Sequence, residues 1–281
     1  MEIKASDVKI LREKTGAGLL DCKNALAEAD GDFKKAEKAL KEQGLAAAAK
    51  RIGRATNEGR IFTSVKDYGA AILELSCETD FVAMNENFIK TGEGLIAEVV
   101  ENKLNSVTPA LEQKVTEIIA VIKENMSLRR VRFMPAEANE KVTDYIHGAG
   151  KIGVLVKLKA EKAELFENAQ VKEFANDIAL HVAAFGPLYL TREKVEASYM
   201  KEQEEIFTVQ AQNLDKPENV LKGIIQGKLN KHLTEICLMD QGFVKEEKQS
   251  VAKILAALSK DAGGKIEITD FAFYRLGEDL G

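Results

Sequence analysis

The sequence predicts an α+β fold, and three observations support this class. Apolar residues recur at helical spacing over the first fifty residues, and several shorter runs further along alternate with a period of two. After residue 57 the order strand-strand-helix-helix-strand occurs twice, which predicts a duplicated core of small antiparallel sheets with helices. Two long charged helical segments interrupt the second copy and predict a projecting antiparallel helical hairpin.

The first unit is expected to be a module of three short helices. Two breaks, residues 16–18 and 30–32, separate its apolar patterns. Ser6 and Asp32 are suitable N-caps, and Gly44 suits the end of the third helix. About 45 residues is near the lower limit for independent folding, which favours a docking module over a catalytic body.

The predicted core divides the rest of the chain in two. The expected units are an N-terminal docking module with a basic connector (1–56), a first core subdomain (57–138) and a second (139–281), with the hairpin insertion at about 190–240. Strands are predicted at 60–66, 70–77, 128–134, 142–147, 152–159 and 266–276, and helices near 85–102, 110–125, 171–185 and 248–258.

The inserted hairpin is predicted from two segments, 192–212 and 217–238, joined by residues 213–217. An apolar seam between its helices is expected from Val195, Tyr199, Ile206, Val209, Val220, Ile224 and Leu229. Such an arm is more often an interaction device than part of an active site.

Composition excludes some classes of ligand. A net charge of -5 and 6% aromatic residues disfavour direct nucleic-acid binding. The start of the chain has no apolar signal core, and no run approaches the roughly 20 apolar residues that span a bilayer, so we expect a cytoplasmic protein without a membrane partner. The three cysteines, Cys22, Cys77 and Cys237, lack metal-ligand spacing and are expected to be buried.

The segment from Gly148 to Gly153 matches GxGxxG in letters. That motif cradles a pyrophosphate when a helix follows it, but the residues after Lys151 are apolar and β-branched. A hairpin turn is therefore the favoured interpretation.

Nucleophilic catalysis by Cys77, with His147 and Asp80 as base and orienter, has no support from spacing. The favoured interpretation of Cys77 is a core thiol. His147, His181 and His232 lie on separate elements, which disfavours a metal cluster, and His181 is expected in the core.

The segment Thr79-Asp80-Phe81-Val82 follows a predicted strand and places a carboxylate and an aromatic ring at its end. One interpretation is purely structural: Thr79 or Asp80 caps a helix and Phe81 or Val82 packs as a staple. The other is a contact site for a partner. Spacing leaves both open.

Three stretches carry a resemblance to the elongation factor Ts family. They are residues 11–26 (Leu11-Arg12, Thr15-Gly16-Ala17-Gly18, Asp21-Cys22-Lys23, Ala25-Leu26), residues 74–82, and His147-Gly148-Ala149 with residues 152–156. The resemblance extends in order over nearly the whole chain. It implies a guanine-nucleotide exchange factor for the GTPase elongation factor Tu, with a ubiquitin-associated-like N-terminal module and no cofactor of its own. Such a factor would act on GDP or GTP and Mg²⁺ held by the partner.

The resemblance also implies which residues face the partner. Asp80 and Phe81, within Thr79 to Val82, would enter the GTPase and disturb its Mg²⁺ and phosphate side, with His147 near the same contact. The other implied contact residues are Arg12, Leu19, Leu20, Lys23, Arg51 and Ile122.

The sequence departs from the family pattern at two places. The residue after Ile122 is usually glycine but is Lys123 here, which brings bulk and charge to a place of close backbone approach. Many bacterial members also continue into a last helix, whereas this sequence ends at Gly281. The alternatives to exchange are a binding-only adaptor, which needs no Asp80-Phe81 wedge, and an enzyme using Cys77 or His147.

Overall fold

The fold is the predicted α+β architecture, seen in a computed structural model that describes residues 3–212, 214 and 217–280. The N-terminal unit consists of α1 (Ala5–Thr15), α2 (Leu19–Glu28) and α3 (Phe33–Ala49). Its core is formed by Val8, Leu11, Cys22, Ala25, Leu26, Ala36 and Leu40. Asp32 caps α3 as predicted, because its carboxylate accepts hydrogen bonds from the amides of Lys34 and Lys35.

The first sheet is antiparallel, with β2 in its centre. Its strands are β1 (Glu58–Lys66), β2 (Gly69–Cys77) and β3 (Met126–Pro135), in the order β1-β2-β3. Between β2 and β3 the chain forms α4 (Asp80–Ala83), α5 (Glu86–Glu101) and α6 (Pro109–Ile122). Thr108 caps α6, and Pro109 occupies its first turn, where a missing amide proton costs nothing.

The second sheet repeats this order. It consists of β4 (Glu140–His147), β5 (Ile152–Ala160) and β8 (Ile266–Arg275), with α7 (Ala169–Phe185) and α10 (Val251–Ala262) as its helices. In both sheets the central strand shifts register against the third strand, between Glu74 and Leu75 in one and between Lys157 and Leu158 in the other. The shared bulge confirms the duplicated core.

The two sheets pack face to face. Ile61, Ile72 and Met134 of the first sheet share an apolar cluster with Val142 and Leu155 of the second. The other face of each sheet is covered by its own helices. Every residue of β2 is consequently buried, since both of its faces are covered, and its two polar residues, Glu74 and Ser76, are hydrogen-bonded.

The insertion contains α8 (Ala197–Gln212) and α9 (Glu218–Ile236), followed by a small hairpin of β6 (Gly242–Phe243) and β7 (Glu246–Ser250). The predicted antiparallel helix pair is present, and residues 213, 215 and 216 of its connector lie outside the described residues. The predicted seam is wrong near the connector, because Ile206, Val209 and Val220 are exposed. Phe207 takes the inner position, with its ring 5.9 Å from that of His232.

Two predicted helix boundaries are also wrong. The helix α1 already begins at Ala5, so Ser6 lies inside it and hydrogen-bonds Asp7. Gly44 does not end α3 but lies within it, next to Ala120 of α6. A Cβ atom on Gly44 would lie 2.7 Å from the Ala120 Cβ, so this glycine serves the close approach of two helices.

Two glycines of α5 are expected to respond in opposite directions to substitution by alanine. A Cβ atom on Gly92 would lie 2.1 Å from the Phe62 ring, whereas nothing lies within 4 Å of one on Gly94. We expect Gly92→Ala to lower the free energy of unfolding by about 1–3 kcal/mol through overpacking. Gly94→Ala should raise it by up to about 1 kcal/mol through helix propensity. Urea unfolding measures both, and equal effects would contradict the packing argument.

Candidate functional site

The segment after β2 is held by a carboxylate from the end of α6. Thr79 is the N-cap of α4, and its hydroxyl oxygen accepts a hydrogen bond from the Val82 amide (3.3 Å). The same hydroxyl donates to Glu124 Oε1 (2.8 Å), and the Thr79 amide donates to Glu124 Oε2 (3.0 Å). The cap is therefore Thr79 rather than Asp80, and Glu124 fixes where α4 begins.

This short helix presents apolar side chains to solvent. Phe81 is 83% exposed and Met84 is 66% exposed, whereas Val82 packs against the core of the first sheet. Asp80 is exposed at the first helical position. The packing interpretation therefore applies to Val82 and is wrong for Phe81, which is exposed.

Arg60 of β1 joins α4 to the turn that follows His147. Its Nε donates to the Ala83 carbonyl at the end of α4 (2.6 Å), and a Cβ atom on Gly150 would lie 2.9 Å from the Arg60 Cβ. His147 is exposed at the end of β4, with its Nδ1 3.1 Å from the Tyr145 hydroxyl. Arg60 thus binds the residue that follows Val82 and lies close to Gly150, three residues after His147.

The GxGxxG stretch is a hairpin turn, as favoured by the sequence. Gly148, Ala149 and Gly150 all have left-handed backbone angles, with φ of 59°, 54° and 91°. The strand β5 begins two residues later, and Lys151 forms an ion pair with Glu58 of β1. The turn therefore offers a phosphate no helix N-terminus of the kind that the motif requires.

Cys77 has the properties of a core thiol rather than of a nucleophile. It is buried and donates to the Thr79 carbonyl at 3.2 Å. Burial, followed by the charge of Glu124, raises the pKa of Cys77 to about 12, so the thiol stays protonated at neutral pH. Cys22 and Cys237 are buried as well, and all three cysteines are free, as predicted.

The three histidines lie on separate elements and contact different residues. His181 lies in the core as predicted, His147 bonds to Tyr145, and the His232 Nε2 is 2.9 Å from the Tyr199 hydroxyl. Within the described ranges, no group of three or more histidine, cysteine or acidic side chains could hold a metal ion.

Acid is expected to destabilise the fold through His181. The Val244 amide donates to its Nδ1 (3.1 Å), which leaves its Nε2 to donate to Gln241 Oε1 (3.0 Å). Burial lowers the pKa of His181, although the bond to Gln241 opposes the shift. As the pH falls, the imidazole of His181 binds a proton in the unfolded chain before it does so in the folded chain. The contribution of neutral His181 to stability should therefore be complete above about pH 6.5 and be lost as the pH drops below it.

Thermal melting at pH 7.5 and pH 5.5 measures this effect. The difference in melting temperature between the two pH values should be smaller in His181→Gln than in the chain without substitutions. The melting temperature of His181→Gln should itself be lower at both pH values. The matched substitution of an exposed ring, His147→Gln, should leave the difference between the two pH values unchanged. An unaltered difference in His181→Gln would assign the acid sensitivity to other groups.

The N-terminal module exposes a second apolar surface. Leu19 and Leu20, in the first turn of α2, are 58% and 67% exposed, and Ile10 of α1 is 53% exposed. Arg12 and Lys23 are exposed on the same two helices. The four residues named from the sequence are therefore accessible, their role as partner contacts stays a prediction, and Ile10 is a further exposed apolar residue that the sequence did not single out.

Two other predicted contact residues are less accessible. Arg51 is half-buried and donates to the Ala47 carbonyl (2.8 Å), which satisfies the end of α3. Ile122 is half-buried against the core of the first sheet. Next to it, Lys123 ends α6 in the left-handed conformation, with φ of 67°, and its ammonium group lies 2.8 Å from Asp21.

The candidate site was only partly visible in the sequence. Met84 could have been found from its i,i+3 spacing to Phe81. Arg60 and Glu124 carried no such signal, because each acts across a long separation in the chain.

Among the helices that the structure describes, none is long and apolar enough to cross a membrane.

Comparisons with known proteins identify one family for the chain. The family model described as elongation factor TS matches residues 78–278, which include the α4 segment and His147. The elongation factor Ts of Treponema denticola is 48% identical over 277 residues, covering 99% of each chain. That of Borreliella burgdorferi is 47% identical over 276 residues, covering 98% of this chain and 99% of its own. The chain therefore belongs to the elongation factor Ts family.

Proposed function

We propose that this translation elongation factor is a guanine-nucleotide exchange factor for the GTPase elongation factor Tu. The observation that supports it best is Phe81, an aromatic ring 83% exposed on a helix whose start is fixed by Glu124. Asp80 lies beside it, so a carboxylate and an apolar wedge reach the partner together. The role is non-covalent and requires no cofactor of the protein's own.

Exchange of this kind depends on differential binding. The factor must bind the nucleotide-free GTPase more tightly than the nucleotide-bound form, and by linkage GDP then weakens the factor to the same extent. Burying one phenylalanine is worth roughly 1.5–3 kcal/mol, which is about 10- to 150-fold in affinity. One wedge therefore accounts for part of the effect, and further contacts have to hold the partner.

The proposed target of Phe81 and Asp80 is the site of the GTPase that holds Mg²⁺ and the nucleotide phosphates. Mg²⁺ requires near-ideal octahedral coordination, so a small displacement of the loop that supports it is costly. We propose that Phe81 displaces that loop while the Asp80 carboxylate disturbs the polar contacts around the ion and the phosphates. His147, which adjoins the same arginine-bridged region, supports the partner nearby.

The N-terminal module supplies the second hold. Leu19 and Leu20 offer exposed apolar area, while Arg12 and Lys23 add positive charge beside it. Apolar anchors with charges around them suit a protein partner, because the anchors give affinity and the charges give orientation. Two separate holds let the factor stay bound while the nucleotide site opens.

The test is a GDP-release measurement. Elongation factor Tu is loaded with fluorescently labelled GDP, chased with excess unlabelled GDP, and mixed with increasing amounts of the chain. We expect the release rate to rise with the concentration of the chain and to saturate, while heat-unfolded chain has no effect. Excess Mg²⁺ should reduce the acceleration. Binding to the GTPase without faster release would contradict exchange and indicate an adaptor.

A further inference from the structure

We propose that the ion pair between Lys123 and Asp21 fixes the N-terminal docking helices relative to α4, which makes Lys123 a positioning residue for exchange. The inference rests on the proposed function, since it concerns how one partner is held at two places. It assigns a role to the residue at which the sequence departs from the family pattern.

The pair lies at a sharp turn of the chain. α6 ends at Ile122, and Lys123 takes a left-handed conformation that side chains other than glycine seldom adopt. Its amide donates to the Ile119 carbonyl (2.9 Å), and its Nζ lies 2.8 Å from Asp21 Oδ2. The next residue, Glu124, accepts both hydrogen bonds from Thr79. Adjacent residues of one turn thus bind the N-terminal module and the cap of α4.

Asp21 belongs to the turn that carries the docking leucines. It is the third residue of α2 and follows Leu19 and Leu20 directly. A Cβ atom on Gly18 would lie 2.8 Å from Asp21 Oδ2 and 3.7 Å from Lys123 Nζ, so the glycine leaves room for the pair. A movement of Lys123 would therefore be passed to the first turn of α2, where the exposed leucines lie.

The module also rests on α6 through close packing. A Cβ atom on Gly16 would lie 2.9 Å from Val121, and the contact of Gly44 with Ala120 is closer still. Lys41 of α3 pairs with Glu117 (3.2 Å). The Lys123–Asp21 pair lies at the C-terminal end of α6, next to Glu124, which binds Thr79. It therefore fixes the orientation of α2 relative to the start of α4.

Fixing this spacing in the free protein favours binding. When both surfaces already have a fixed spacing in the free protein, the free-energy cost of ordering them on binding is smaller. The pair is about half exposed, with side chains 53% and 45% accessible, so its effect is that of a partly screened ion pair. We expect its loss to weaken the productive encounter about two- to fivefold.

The test combines single substitutions with a charge swap. In the GDP-release assay, Lys123→Gln and Asp21→Asn should each raise the concentration of chain for half-maximal exchange about two- to fivefold, with the saturating rate unchanged. The swap Asp21→Lys with Lys123→Asp should restore most of the loss. Lys38→Gln, which breaks a pair within α3, is the matched control and should have no effect.

Other results would overturn the proposal. A swap worse than either single substitution would mean that the ion pair itself is not what the singles lose, and single substitutions without effect would mean that the pair positions nothing. A distance measurement separates this failure from that of the proposed function. Spin labels on Asn24→Cys and Glu93→Cys, with the buried native cysteines unlabelled, should show a broader distance distribution in Lys123→Gln and a narrower one again in the swap. If Lys123→Gln has the same distance distribution as the labelled chain with Lys123, positioning is refuted. This conclusion holds even if the chain does not accelerate GDP release.

Discussion

Phe81→Ala is expected to slow stimulated GDP release about 10- to 150-fold at limiting concentration of the factor, with the melting temperature nearly unchanged. The ring is 83% exposed in the free chain, so its removal takes almost no contact away from the folded state. The loss falls on the complex with the GTPase, where the ring would be buried. The GDP-release assay and a thermal melt of the same preparation measure the two quantities.

Its neighbour provides the matched control. Val82 packs against the core of the first sheet, so Val82→Ala should lower the melting temperature while release per folded molecule is retained. The opposite pattern for Phe81→Ala, a large loss of stability with release per folded molecule unaffected, would show that its ring serves the fold. Met84→Ala should resemble Phe81→Ala with a smaller effect, since it is also exposed on α4.

The contrast between Phe81 and Val82 shows what the sequence does not predict at the site, namely which of the two side chains is buried. The sequence located both residues at the end of a strand and proposed a cap, which Thr79 provides. Both are apolar and adjacent, so spacing could not say which of them packs. The answer depends on the direction in which Glu124 fixes the first turn of α4, and Glu124 lies 45 residues further along the chain.

The fold was predictable wherever periodicity was strong. Two hairpins, their helices and the duplicated order follow from patterns of period two and 3.6. The short hairpin of β6 and β7 was missed, because Glu246–Ser250 contains no apolar residue to alternate. The sequence predicts a helix end at Gly44, because the actual role of this glycine, the approach of α3 to Ala120, depends on a helix distant in sequence.

A residue that sequence reasoning passed over is expected to have the largest effect on stability. Glu74 is fully buried in the centre of β2, where its two carboxylate oxygens accept three hydrogen bonds. The donors are Arg129 Nη1 at 2.6 Å, Arg130 Nε at 2.7 Å and the Gly277 amide at 2.9 Å. Glu74 therefore holds two cations of β3 and the segment that follows β8.

Glu74→Gln keeps the shape of the side chain but removes the charge and turns one acceptor into a donor. Breaking a buried ion pair from one side typically costs about 3–5 kcal/mol. We expect about 3 kcal/mol, because Arg129 and Arg130 keep 22% and 17% of their side chains exposed and can recover some hydration. Urea unfolding gives the free energy, and faster hydrogen exchange at the Gly277 amide would show release of the C-terminal segment.

The matched control is Glu235→Gln, which removes an exposed partner of Lys231 within α9 and should change the free energy of unfolding by less than about 0.5 kcal/mol. A loss below about 1 kcal/mol in Glu74→Gln would mean that desolvation of the three charges already cancels their attraction. Because Glu74 does not touch α4, release of GDP per folded molecule should be unchanged in the same variant. Stability and exchange would then respond to different residues, as expected when Glu74 holds β3 and the segment after β8 while the side chain of Phe81 is exposed.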